Sequence, residues 1–151
     1  MSQRANRYIS QELRTLVAQR ADYLCEYCLV SEESRFLRFH VDHIISIKHS
    51  GKTEAPNLAY TCSTCNYFKG TDIVSIVNYP NLEFARLFHP RLDKWHEHFE
   101  LKDAEISPMT PIGKVTANIL QFNTSQRIKD REQLITLGEY PSAAAILRMF
   151  P

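Results

Sequence analysis

Two cysteine pairs, Cys25-Glu26-Tyr27-Cys28 and Cys62-Ser63-Thr64-Cys65, contain all four cysteines of this 151-residue chain. An i, i+3 spacing lets both thiolates of a pair converge on one ion, and two such pairs supply a tetrahedral set. Four cysteines also permit disulfides, but Met1 to Arg14 has no apolar run of signal-peptide length, which favours zinc over an oxidised framework. Four thiolates leave no open coordination position, so this ion is expected to be structural. Between and after the pairs stand the other residues able to do chemistry: His40, Asp42, His43, Asn57, Asn66 and Lys69. Histidine exchanges a proton near neutrality, at a pKa of about 6.5. Asp42 and His43 are adjacent, so on a strand they project to opposite faces unless the strand ends or kinks there.

The order of these residues carries a resemblance. Cys25-x-x-Cys28, then Asp42-His43, then Asn57-Leu58, then Cys62-x-x-Cys65-Asn66-x-x-Lys69-Gly70 is similar to the HNH endonucleases whose ββα-metal (His-Me finger) core is pinned by a four-cysteine zinc. The resemblance covers about Cys25 to Gly70. It implies that His43 is the general base, that Asp42 and Asn66 hold a catalytic Mg²⁺ or Mn²⁺, and that Asn57 holds the loop and orients His43. Asn66 stands where some family members have histidine, which leaves a carboxylate and an amide as the protein's ligands. Such chemistry is consistent with the residues: phosphodiester hydrolysis needs a base for water and a cation for the developing charge. An oxygen-rich site with few protein ligands suits Mg²⁺. Lys69 reads either as a phosphate contact or as a solvated lysine at a helix end.

The elements that must position these groups follow from local pattern. Ser10 is expected to cap a helix running to about Arg20, with Leu13, Leu16, Val17 and Ala21 on its apolar stripe. Phe36 to Ile47 is rich in aromatic and β-branched residues and reads as a strand within a hairpin. Residues 48–57 read as a loop, and a short helix is expected from Cys62 to Lys69, stopped by Gly70. Further on, 78–90 is ambiguous, and 93–101 fits strand or helix. Ile112 to Phe122 has helical spacing, a helix is expected over 124–137 with Gly138 as its end, and Ser142 caps a last one through Met149. The expected architecture is α+β: one nuclease domain over 1–151, with a zinc-clamped core at about 22–72, a preceding helix and a helical C-terminal extension from 73.

A hydrophobic fraction of 44% and the absence of a long apolar run describe a globular chain without a membrane span, expected in the cytoplasm. The net charge of +1 does not by itself announce a nucleic-acid binder, so any DNA path depends on local distribution. Arg35, Arg38, Lys48, Lys52 and Lys69 are its expected lining, within a broader basic series that begins at Arg4, Arg7, Arg14 and Arg20. Double-stranded DNA is the expected partner, with RNA as an alternative substrate. The rival from another class is a zinc-dependent nucleic-acid-binding module that does not cut. His40 reads as a half-buried strand histidine. His96 and His98 would share a face only on a strand, and packing of Trp95 and Phe99 is the stronger reading there.

Overall fold

The computed structural model describes residues 7–151, so Arg4 of the basic series lies outside the described residues. Helix α1, Gln11–Arg20, starts at Ser10, whose hydroxyl accepts from the Leu13 amide. Val17, Ala18 and Ala21 face the core, whereas Leu16 points outward. A 3-10 turn at Glu32–Ser34 precedes strand β1, His40–His43, which pairs antiparallel with β2, Leu58–Thr61. In this register His40 faces Thr61 and His43 faces Leu58. The strand expected over Phe36 to Ile47 is thus only four residues long. Its partner sets the limit: β2 ends where Cys62 turns the chain into the next helix, so Phe36 and Leu37 have nothing to pair with and stand exposed.

Helix α2, Ser63–Lys69, is capped by the Cys62 sulfur and ended by Gly70 at φ 51. It packs against β1, so hairpin and helix follow one another in space as in sequence. The chain from 73 onward is not purely helical. Strands β3 (Val74–Ile76) and β4 (Phe84–Arg86) form one hairpin, and β5 (Phe99–Lys102) and β6 (Glu105–Pro108) form another. Residues 93–101 hold both candidate structures: helix α3 at Trp95–His98 runs directly into β5. Asp103, at φ 54, turns β5 into β6, a tight hairpin without the Asn-Gly signature that would have announced it.

Helices α4 (Pro111–Ile119), α5 (Ser125–Thr136) and α6 (Ala143–Met149) are each capped by the hydroxyl before them, from Thr110, Thr124 and Ser142. An aromatic chain joins extension to core: Tyr27 to Phe88 at 6.3 Å, Phe88 to Phe99 at 5.5 Å, and Phe99 to Phe122 at 5.6 Å between centroids. Trp95 stacks 5.2 Å from Phe99 and donates to the Tyr27 carbonyl, so packing governs that segment. Burial of such rings contributes about 2–3 kcal/mol each. Among the described residues no helix is long and apolar enough to cross a membrane.

Candidate active site

Zinc-type geometry is present in the cysteines. All four are buried, and their sulfurs lie within 4.8 Å of one another. Tetrahedral coordination with Zn–S near 2.3 Å places sulfurs about 3.8 Å apart. The Cys28 and Cys62 sulfurs are 3.8 Å apart, so the donor set fits an ion of that size and preference. Burial pushes the Cys25 and Cys65 thiols up, while hydrogen bonds from neighbouring thiols, Cys25 first, pull Cys28 down. Loading such a site with a cation requires the thiols to give up their protons. Among the described residues this is the one cluster of metal-binding side chains. His96 and His98 lie on α3 and join no such group; the His98 Nδ1 instead pairs with the Thr110 hydroxyl at 2.6 Å.

At the far end of β1 the strand stops at His43. Lys69, at the end of α2, reaches back: its Nζ donates to Asp42 Oδ2 at 2.8 Å and to the His43 carbonyl at 3.0 Å. The Lys69 side chain is only 2% exposed, against 19% for Asp42. Neither sequence reading of Lys69 describes this position. A buried ammonium is not a solvated helix-end lysine, and it has no surface from which to meet a phosphate. That burial speaks against the expected DNA contact at Lys69, whereas Arg35, Arg38, Lys48 and Lys52 are exposed. Asn66, half-buried, precedes Lys69 by three positions and so lies one turn away on the same side of α2.

His43 is half-buried, and its Nε2 lies 2.8 Å from Thr53 Oγ1. Burial lowers the imidazole pKa below its ordinary value; Asp42 opposes the shift and Lys69 reinforces it. That direction favours the neutral, proton-accepting form of the ring. Thr53 was not singled out from the sequence, because a threonine in a polar loop carries no signal of its own.

Asn57 is buried and bonded to the loop backbone. Its Oδ1 accepts from the Ile45 amide, and its Nδ2 donates to the carbonyls of Ile45 and Lys52, all at 2.9 Å. These bonds pin both ends of the 44–57 loop. The expected hydrogen bond to His43 is not among them, and Thr53 holds that ring instead. Gly51 belongs to the same arrangement, because a Cβ there would lie 1.8 Å from the Ile45 carbonyl oxygen. His40 is exposed rather than half-buried, with Nε2 at 3.3 Å from Ser63 Oγ.

The extension also reaches the cysteines. Arg127, on α5, is buried and donates through Nη2 to Cys65 Sγ at 3.2 Å; Tyr140 donates to the Cys28 carbonyl at 3.0 Å. Burial opposes the Arg127 charge, but Cys65, Cys28 and Cys62 outweigh it and push its pKa up. A sequence separation of 62 residues hid this contact, since one arginine in an amphipathic helix looks like any other.

Residues 25–72, which hold the cysteines, the hairpin and α2, match the family model described as HNH endonuclease. No curated protein and no solved structure matches the chain.

Proposed function

We propose that this protein is a metal-dependent endonuclease that hydrolyses phosphodiester bonds in double-stranded DNA, with residues 22–72 as a ββα-metal core and residues 73–151 as its extension. The observation that carries this reading is a half-buried imidazole at a strand end, anchored by a hydroxyl. His43 is held by Thr53 beside the Asp42 carboxylate, inside the segment that matches the HNH family model. A binding scaffold has no use for such a base.

Asp42 and Asn66 would hold Mg²⁺ or Mn²⁺. With one Asp42 oxygen on Lys69, the second and the Asn66 amide oxygen are the hard donors such an ion prefers. When bound, the ion neutralises charge on the phosphate and on the leaving oxygen. Everything else falls to the chain. Thr53 accepts the Nε2 proton of His43, which leaves the lone pair on Nδ1 to take a proton from water. Asn57 and Gly51 fix the loop that carries Thr53. The four cysteines hold a structural zinc that fastens the first knuckle to the start of α2, and Arg35, Arg38, Lys48 and Lys52 supply cations along the DNA.

One observation favours the rival binding module: one oxygen of Asp42 is already paired with Lys69. Supercoiled plasmid separates the two. The endonuclease converts it to nicked or linear forms only with Mg²⁺ or Mn²⁺, and His43→Ala does not. Retention of plasmid without any cleavage under either metal would establish the module instead, and metal-independent cleavage of RNA would establish a ribonuclease.

A further inference from the structure

The loop entering β1 presents Arg35-Phe36-Leu37-Arg38 to solvent. Phe36 is wholly exposed and Leu37 is 67% exposed, an unusual state for two adjacent large apolar side chains. With Phe39, Cys62, Ser63 and Thr64 they line a cavity at the start of α2. Arg35 keeps a long ion pair of 3.8 Å with Asp130, both side chains one-third exposed, and Arg38 is exposed.

We infer that Phe36 and Leu37 form a wedge that enters the base stack of bound DNA, with Arg35 and Arg38 on the flanking phosphates. This rests on the nuclease reading above and adds what the substrate must do. An apolar pair between two cations is complementary to a duplex, which is anionic outside and apolar between its base steps; side chains of this kind kink DNA by partial unstacking. A second copy of the chain is a poorer fit. Two such side chains bury roughly 350 Å², whereas a stable interface takes about 800 Å² per partner.

Position gives the wedge a function. Phe36 and Leu37 lie toward the His40 end of β1, so the opened step is set apart from the phosphate presented to His43. Unstacking is easiest at pyrimidine–purine steps and at mismatches, so the protein favours DNA that is flexible or mispaired at that step.

The test uses the full chain carrying His43→Ala, to prevent cleavage, and a short duplex with 2-aminopurine at successive positions. Emission should rise several-fold at one or two adjacent positions on binding. It should stay flat when Phe36→Ser and Leu37→Ser are added, although the salt dependence of binding is kept. Both side chains are exposed, so the double variant should melt with its parent. A bound duplex that shows no rise at any position overturns the wedge alone, as does a rise that survives the double variant. If the double variant changes sedimentation of the free chain instead, the patch is an interface between copies and the wedge is wrong. A chain that binds no duplex overturns both the wedge and the nuclease reading.

Discussion

The Lys69 ammonium lies 2.8 Å from the Asp42 carboxylate, joining the end of α2 to the end of β1 beneath His43. One charge thus sets both the carboxylate and, through the His43 carbonyl, the backbone that carries the proposed base. Lys69→Met should leave Asp42 without its partner and destabilise the fold by about 2–3 kcal/mol, read by denaturant unfolding. It should also reduce cleavage. Because Lys69 touches no phosphate in this arrangement, the slope of DNA affinity against salt should stay at its parent value. Each phosphate contact contributes close to one unit to that slope, so a fall of about one after Lys69→Met would place Lys69 on the DNA after all.

Arg127 makes a different prediction, about metal retention. Four thiolates around a divalent ion leave a net charge of about −2, and the buried guanidinium at 3.2 Å from Cys65 offsets part of it. Outer partners of metal ligands are typically worth 10- to 100-fold in affinity. Arg127→Met should therefore release zinc to a chromogenic chelator at least about tenfold more readily, and Arg127→Lys should recover part of the loss. Equal release from the parent and Arg127→Met would show that the extension merely rests against the knuckle.

Gly51 tests the loop without touching a catalytic group. A methyl group at this position meets the Ile45 carbonyl and the Asn57 amide, so the loop must open and the Asn57 bonds must lengthen. Gly51→Ala should cost about 1–3 kcal/mol of stability and lower the cleavage rate, while zinc content stays at one per chain. Full activity in Gly51→Ala would mean that the loop does not position Thr53 and His43.

Acid stability should report on the extension. Hydrogen bonds from Arg86 hold the Asp93 carboxyl below its usual range; burial opposes them and the His89 amide adds to them. A depressed carboxylate contributes stability that is complete above the unfolded pKa, about 3.9, and is lost as pH falls through the folded value. Asp93→Asn should be less stable than its parent at neutral pH, with the gap closing below about pH 4. A gap independent of pH from 3 to 7 would assign the effect to shape rather than charge.

The sequence exposed the parts of the site that are chemically loud. Cysteine spacing located the metal set, Asp42-His43 the strand end, and Cys62 and Gly70 the limits of α2, because each is a local rule written in residue type. What it concealed is long-range. Lys69 reads as exposed until β1 is laid beside α2, Arg127 reads as surface until α5 is docked, and the two hairpins after residue 73 were hidden by short strands and an Asp-Ala turn. The length of β1 was misjudged for the same reason, since a strand extends only as far as its partner.

The His43–Thr53 contact offers the sharpest test of mechanism. With the Nε2 of His43 held 2.8 Å from a hydroxyl, the ring is fixed in orientation and, in our reading, in tautomer. General-base assistance is worth about 10² to 10⁴ in rate, so His43→Ala should lose most cleavage while keeping zinc, fold and DNA affinity. Excess Mn²⁺ should not restore it, because the missing part is a proton acceptor; the same treatment should partly restore Asp42→Ala, whose defect is metal affinity. Thr53 then separates positioning from bulk. Thr53→Val keeps the shape and removes the hydroxyl, and should slow cleavage about tenfold, within the usual worth of one hydrogen bond. Thr53→Ser keeps the hydroxyl and should stay near the parent rate. If Thr53→Val cuts at the parent rate while His43→Ala is dead, His43 acts without this anchor. If a folded His43→Ala protein cuts normally, His43 is not the base and the binding-module reading takes its place.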